Sequence, residues 1–139
     1  MNPKLKKFFL FSIILFNAGV FILYATMKLI GRQFAHLDLP DDLLLKEVHP
    51  TAIMWHFFSL NKGYGICVAL AQIIPSILIL FKRTRLIGAI FYFFAAGNIL
   101  ALNIFFDITI VTLILSCILF LNTLIILYSE REKIGSLLK

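Results

Sequence analysis

The sequence predicts an all-α polytopic membrane protein whose four transmembrane helices form an antiparallel bundle. Its composition is the first reason, because 61% of the 139 residues are hydrophobic and 14% are charged, whereas globular domains are about 45–50% apolar and about 25% charged. Four long apolar runs are the second reason, and basic residues at the ends of those runs are the third. The length fits a single membrane domain covering residues 1–139.

Each apolar run has the length of a membrane span. A helix needs about 20 apolar residues to cross a hydrocarbon core of about 30 Å. The predicted spans are residues 8–27, 63–81, 86–106 and 108–128. The first run is longer than a signal-peptide core of about 7–15 residues and ends without a small-x-small cleavage site, so we expect it to remain as a span. The third and fourth runs almost touch in sequence, which predicts a tight helical hairpin.

Residues 28–62 form the longest polar stretch and are predicted to be an outer loop. Within this loop, the aromatic-rich segment from Pro50 to Leu60 is too short to span a bilayer. Trp55, Phe57 and Phe58 suit the level of the lipid headgroups, where an aromatic ring can be half solvated. We therefore expect a short interfacial or re-entrant helix that lies over the bundle.

The distribution of Lys and Arg predicts the orientation. Nine of these residues lie on the face that holds both termini and the turn at residues 82–85, and four lie in the outer loop. The positive-inside rule then places both termini in the cytoplasm, in the inner (cytoplasmic) membrane of a bacterium. Residues 129–133 are expected to be a solvated tail that continues the last helix. We attribute the net charge of +6 to this topology and expect no nucleic-acid partner, since the basic residues are not interleaved with stacking aromatics.

Polar residues at the outer ends of spans one and three predict a cluster at the mouth of the bundle. Lys28 and Arg32 are four residues apart, as are Asn103 and Asp107, so each pair shares a helix face. With Gln33, they could hold a quinone headgroup, an anion or a peptide carboxylate. The alternative is a structural ion pair that caps the helix ends.

Amides inside the spans allow two interpretations. Gln72 and Asn98, and also Asn17 beside Gly19, interrupt apolar runs and favour contacts with neighbouring helices. Helix packing alone would explain them. The other interpretation is a lateral cavity for a hydrophobic ligand between spans two and three, to which Gln72 and Asn98 would give polarity.

Cysteine and histidine spacing favours neither a redox centre nor a metal site. Cys67 and Cys117 lie on different spans and form no CxxC pair, and their predicted depths differ, so we expect no disulfide. The histidines at positions 36, 49 and 56 have no ligand spacing typical of a metal motif. No nucleophilic, paired-carboxylate or phosphate-binding motif is present, so the sequence gives no reason to expect an enzyme.

The chain resembles the DoxX-like family of small four-helix membrane proteins. The stretches that carry the resemblance are YATMKLIGRQF at 24–34, WHFFS at 55–59, QII at 72–74, LFKRTRLIGA at 80–89, and Asn98 with NIFFD at 103–107. The resemblance implies a subunit of a quinone-linked or thiol-stress redox complex and supplies no catalytic residue. The paired cysteines of a thiol-oxidising relative are not present in this sequence.

These observations predict a non-catalytic or accessory subunit of a membrane redox complex, with an outward-facing polar pocket and a quinone as possible cofactor. Besides the lipid bilayer, the expected partner is a second copy of the chain or another membrane protein. Two alternatives stay open: a small oligomeric transporter or hydrophobic-ligand-binding module, and a structural or assembly factor. A transporter that couples protons would need a carboxylate in mid-membrane, and none occurs within the predicted spans.

Overall fold

The computed structural model describes residues 2–31, 33, 48–106 and 108–133. These residues form five α-helices and no strand: α1 Pro3–Leu29, α2 Pro50–Ser59, α3 Lys62–Leu80, α4 Arg85–Phe105 and α5 Ile110–Ser129. Within that part of the chain, the four helices other than α2 are long and apolar enough to cross a membrane. The all-helical prediction and its four span-length helices are therefore confirmed, and α2 matches the short helix expected in the outer loop.

Side-chain caps set the starts of the first three helices. The backbone N–H of Lys4 donates to Asn2 Oδ1 at 3.0 Å, and Pro3 occupies the first helical position, where its missing N–H costs nothing. This cap begins α1 at Pro3 rather than at residue 8, so the basic residues before the apolar run belong to the helix. Equivalent caps start the next helices, with Thr51 N–H bound to His49 Nδ1 at 3.3 Å and Gly63 N–H bound to Asn61 Oδ1 at 2.8 Å.

The four long helices close into a ring. Helix α1 packs against α3 and α5, and α4 packs against both α3 and α5. Each helix buries a stripe whose members are three or four positions apart, which is the spacing of one helix face. On α1 the stripe contains Ile14, Ala18, Phe21 and Ala25. Small residues on these stripes let the helices approach closely, as is typical of membrane bundles.

Helices α3 and α4 lie very close together at Gly88. A Cβ atom at this position would lie 2.7 Å from the backbone nitrogen of Ile79 and 2.7 Å from Leu78 Cβ. The turn between the two helices is fixed beside this contact, because Thr84 Oγ1 donates to the carbonyl oxygen of Leu78 at 2.9 Å. We call this end of the bundle the Gly88 end, and the opposite end, which carries α2, the α2 end.

An ion-pair cluster closes the Gly88 end. Glu130 is only 7% exposed, and its carboxylate pairs with Arg85 at 3.5 Å and with Lys133. Lys133 Nζ also donates to the carbonyl oxygen of Lys82 at 2.7 Å. The prediction of a solvated tail at residues 129–133 is wrong for Glu130, because this carboxylate is buried by the basic residues that surround it.

A hydrogen-bond network joins α1, α4 and α5 in the middle of the bundle. Asn17 is fully buried, and its amide nitrogen donates to the carbonyl oxygen of Leu119 at 3.2 Å and to Thr123 Oγ1 at 3.4 Å. Asn122 donates to Asn17 Oδ1 at 3.0 Å, and the Tyr92 hydroxyl donates to the Asn17 carbonyl oxygen at 2.7 Å. The prediction that Asn17 contacts a neighbouring helix is confirmed.

Gly19, which was paired with Asn17 in that prediction, is not at a helix contact. It is exposed, and a Cβ atom added to it would meet nothing within 4 Å. Two positions along a helix turn the side-chain direction by about 200°. Asn17 and Gly19 therefore point to opposite sides of α1.

Candidate functional site

A cavity of about 150 Å³ opens at the α2 end of the bundle, and residues of all five helices line it. Its wall is mainly apolar and aromatic, with a smaller set of polar side chains. The polar members, apart from tyrosine and tryptophan, are Lys28, Gln33, Gln72, Asn98, Asn103, Thr112 and Ser116. This combination of an apolar body with a few polar groups is typical of small-molecule sites.

Helix α2 forms one wall of the cavity. Met54, Trp55 and Phe58 line it, and Met54 is only 4% exposed. Trp55 and Phe58, which the sequence predicts at the level of the lipid headgroups, both line the cavity. Phe57, which points away from the cavity, is 60% exposed.

Two contacts hold α2 in this position. At its start, Thr51 Oγ1 donates to the carbonyl oxygen of Phe106 at 2.6 Å, at the end of α4. At its end, the ring of Phe58 stacks on that of Tyr64 in α3, with centroids 5.6 Å apart. Both ends of α2 are therefore tied to span-length helices, and the cavity wall is a fixed part of the fold.

The end of α1 brings two polar residues to the cavity. Lys28 continues the inward stripe of α1, three positions after Ala25, so its chain points into the bundle. Gly31 then adopts a φ of +70°, a left-handed conformation that glycine reaches without strain. The chain turns back on itself there, and Gln33 N–H donates to the carbonyl oxygen of Met27 at 3.3 Å.

Lys28 is the cationic side chain that the structure places in the cavity wall. Its ammonium donates to Gln72 Oε1 at 2.9 Å and to Gln33 Oε1 at 2.8 Å. It also lies 5.8 Å from the centroid of the Tyr24 ring, within the range of a cation–π contact. Because an ammonium has only donors, the oxygen of each amide faces Lys28 and the amide nitrogens are directed elsewhere.

Asn103 contributes an acceptor to the same cavity. Asn103 is 6% exposed, and its amide nitrogen donates to the carbonyl oxygen of Ile99 at 2.8 Å. Its Oδ1 atom is buried and has no hydrogen-bond partner among the described residues. Buried amide oxygens are nearly always hydrogen-bonded in folded proteins, so this atom is the exceptional group of the site.

The cavity unites residues that the sequence assigned to two separate features. Lys28, Gln33 and Asn103 of the predicted outer cluster line it, and so do the intramembrane amides Gln72 and Asn98. The other two predicted members of the cluster, Arg32 and Asp107, lie outside the described residues. Instead of opening laterally between spans two and three alone, the cavity is enclosed by α1, α2, α3, α4 and α5.

Sequence reasoning missed the contribution of the fourth span. Thr112 and Ser116 line the cavity, and Thr123, farther along the same helix, belongs to the Asn17 network. Thr112 and Ser116 are four residues apart, and Thr123 follows seven residues after Ser116, so all three lie on one helix face. That spacing of small polar residues in an apolar span was the available signal.

Metal-binding chemistry has little support in the part of the chain that the structure describes. No group of three or more His, Cys, Asp or Glu side chains is close enough there to hold a metal ion. His49 caps α2, His56 lies half-buried on α2, and His36 is outside the described residues. Cys67 and Cys117 are free thiols.

One known protein is similar to this chain over most of its length. The uncharacterized protein YwoB of Bacillus subtilis (strain 168) is 29% identical over 119 residues, which are 86% of this chain and 75% of YwoB. No family model matches the chain, and no solved structure matches it. Membership of the DoxX-like family therefore stays a prediction.

The chemistry of the cavity is suited to binding. The described lining residues provide hydrogen-bond donors from an ammonium and amides, an open amide acceptor and hydroxyl groups, within an aromatic wall. The described part of the lining contains no carboxylate, imidazole or thiol. The polar side chains of the lining can therefore orient an amphipathic molecule through hydrogen bonds to its polar atoms. The apolar part of such a molecule can pack against the aromatic wall.

Proposed function

We propose that this chain is a membrane protein that holds the ring of a quinone-class, amphipathic ligand in the cavity at the α2 end, as a non-catalytic or accessory subunit of a membrane redox complex. The observation that carries the proposal is the placement of the Lys28–Gln72 hydrogen bond in the wall of a cavity of one-ring size. Two features of the cavity support it, its volume and its polarity.

The volume suits a single six-membered ring. In another protein, an apolar cavity of about 150 Å³ holds one benzene molecule, and the cavity found here has a volume of about 150 Å³. Aromatic side chains in its wall, among them Phe21, Trp55 and Phe58, can pack against such a ring in offset or edge-to-face geometry. A longer apolar tail would leave the cavity toward the lipid.

The polarity suits a ligand with oxygen acceptors on its ring. The ammonium of Lys28 donates to Gln72, to Gln33 and, at 3.5 Å, to the carbonyl oxygen of Tyr24. The amide nitrogen of Gln72 is directed away from Lys28, because the amide oxygen faces that residue. A ring carbonyl beside this amide nitrogen would accept a hydrogen bond from it. With this donor in an aromatic wall, the cavity would recognise an apolar ring that carries polar oxygens.

The redox role rests on the resemblance to the DoxX-like family, and the location rests on the charge distribution. We infer the inner (cytoplasmic) membrane of a bacterium with both termini in the cytoplasm, because the Gly88 end carries the basic turn at residues 82–85. The α2 end and its cavity then face outward. A partner subunit would supply the redox centre, or a second copy of this chain would complete the assembly.

A second candidate is a hydrophobic-ligand-binding module or small oligomeric transporter without a redox partner. The same cavity supports it, since the described lining residues bind rather than react. The identity of the ligand distinguishes the two candidates.

Mass spectrometry of the purified protein tests the proposal. The protein is extracted with mild detergent, and small molecules that co-purify are compared between the wild type, Val68→Phe and Val111→Phe. Val68 lines the cavity, so the larger side chain fills it, whereas Val111 is 71% exposed and provides a matched control on the outer face. We expect a quinone-class molecule, in its quinone or hydroquinone form, with the wild type and with Val111→Phe, and its loss with Val68→Phe.

The other outcomes are equally informative. A different apolar molecule that is lost only with Val68→Phe would favour the second candidate. Equal amounts of every bound species in all three proteins would contradict binding in the cavity.

A further inference from the structure

The buried oxygen of Asn103, which has no partner among the described residues, indicates which polar group a ligand of the cavity would carry. We infer that the ligand presents a hydroxyl group on its ring to Asn103 Oδ1, so that the cavity prefers a hydroxyl-bearing ring, of the hydroquinone or phenol class, over a ring with carbonyl oxygens only. This inference rests on the proposed function, because it requires that a ring occupies the cavity.

The hydrogen bond to Ile99 fixes which atom of the amide is free. The atom of Asn103 that lies 2.8 Å from the carbonyl oxygen of Ile99 must be the nitrogen, since two oxygens without a proton between them would repel. The other amide atom is therefore Oδ1, which is buried and unpartnered among the described residues. A rotated amide would lose the bond to Ile99 and gain nothing from the described residues.

No described residue accounts for the burial of this amide. The carbonyl oxygen of Ile99 would be satisfied in the helix by the backbone N–H of Asn103 without any side chain. Leucine at this position would fit the apolar wall of α4 and avoid an unsatisfied oxygen. An acceptor in the wall of a ring-sized cavity is explained by a ligand that donates to it.

The two polar sides of the cavity are complementary to different groups on a ligand. The amide nitrogen of Gln72 offers a donor, because the amide oxygen accepts from Lys28, whereas Asn103 Oδ1 requires a donor. A hydroxyl oxygen can accept and its proton can donate, so a ring with hydroxyl groups satisfies both sides. A ring with carbonyl oxygens alone satisfies the Gln72 side and leaves Asn103 Oδ1 without a donor.

Two probe molecules that differ only at the hydroxyl group of the ring test whether the ligand donates a hydrogen bond. In 4-octylphenol the ring carries a hydroxyl group, and in 4-octylanisole the same oxygen is methylated, so it can accept but cannot donate. Binding of each to the wild-type protein in lipid nanodiscs is measured by isothermal titration calorimetry. We expect the phenol to bind about tenfold more tightly, which corresponds to about 1.4 kcal/mol.

Substitutions in α4 test whether Asn103 causes the preference for the phenol over the ether. With Asn103→Leu we expect the phenol and the ether to bind within about twofold of each other, because a single neutral hydrogen bond accounts for the difference. Ile104→Leu, on the exposed side of α4, should keep the tenfold preference. The wild-type comparison of the two probes stands on its own if Asn103→Leu fails to fold.

Failure of this inference can be distinguished from failure of the proposed function. Equal binding of phenol and ether to the wild type, weakened by Val68→Phe, would overturn the donor requirement and leave ring binding in place. A preference that persists in Asn103→Leu would overturn the role of Asn103. Absence of binding by both probes would overturn the inference together with the proposed function.

Discussion

The ammonium of Lys28 and the amide oxygen of Gln72 lie 2.9 Å apart although 44 residues separate them in the chain. This bond joins the end of α1 to the middle of α3 within the wall of the cavity. Gln33, five residues after Lys28, holds the same ammonium from the loop side at 2.8 Å. Each of these two apolar helices carries one polar side chain of the pair, and each side chain stabilises the other. The bond also holds the ammonium of Lys28 in the wall of the cavity.

Gln72→Leu should destabilise the protein by about 1–3 kcal/mol, because it leaves a part-buried ammonium with one acceptor fewer. The measurement is the free energy of unfolding in mixed micelles of detergent and SDS. The double variant Lys28→Met with Gln72→Leu should recover part of this loss, since it removes both members of the pair. Wild-type stability for Gln72→Leu would contradict a contribution of this bond.

Gly88→Ala should destabilise the bundle by about 1–3 kcal/mol, as overpacking does elsewhere. The added methyl group would lie 2.7 Å from the backbone nitrogen of Ile79, and a backbone atom cannot move aside as a side chain can. Helices α3 and α4 would have to separate. Thermal unfolding of the detergent-solubilised protein measures the effect.

Gly19→Ala is the matched control for this substitution. No atom lies within 4 Å of the added methyl group, and alanine favours the helix by about 1 kcal/mol relative to glycine. We expect an unchanged or slightly higher unfolding temperature. A similar loss at both glycines would show that the close approach at Gly88 is unimportant.

Substitutions in the central network should differ in severity. Tyr92→Phe removes one hydrogen bond and should cost about 0.6 kcal/mol, the average for interhelical hydrogen bonds in a membrane protein, with a maximum of about 1.7 kcal/mol. Asn17→Leu removes the side-chain hydrogen bonds to the Leu119 carbonyl oxygen, to Thr123 and to Asn122 at once, so it should cost more than Tyr92→Phe. The backbone carbonyl oxygen that accepts from Tyr92 remains in this variant. Unfolding by SDS measures both values, and Ser12→Ala, whose hydroxyl bonds its own helix on the exposed side, serves as the neutral reference. The reverse order of Asn17→Leu and Tyr92→Phe would contradict the network.

Cysteine labelling tests the orientation. In a background in which Cys67 and Cys117 are replaced by alanine, Asn61→Cys should react with a membrane-impermeant maleimide in intact cells, and Arg83→Cys should react only after the membrane is opened. Both positions are exposed in the structure, so accessibility of the side chain is not limiting. Labelling with the opposite pattern would reverse the predicted topology.

The sequence predicted the helices well because their lengths depend on local composition. Runs of about 20 apolar residues are long enough to be recognised without knowledge of their neighbours. Helix α1 begins five residues before the predicted span, because the cap formed by Asn2 and Pro3 depends on side-chain hydrogen bonds that hydropathy does not register.

The cavity could be predicted only in part, because it depends on which helix faces meet. Lys28 and Asn103 were predicted to belong to a polar cluster at the mouth of the bundle and Gln72 was predicted to be an intramembrane amide, but their assembly around one cavity depends on the order of helices in the ring. Burial of Glu130 was missed for the same reason, since its partners Arg85 and Lys133 include one that lies 45 residues away. Distant pairings of this kind are set by packing and not by local pattern.

Trp55 is the single tryptophan of the chain, and its indole lines the cavity. The intrinsic tryptophan fluorescence of the unlabelled protein therefore originates at the cavity of the α2 end. Filling the cavity should shift the emission maximum, and a bound ring that accepts electrons should quench it. Natural placement of this fluorophore gives a direct optical titration of the pocket, in which no dye or additional substitution disturbs the bundle.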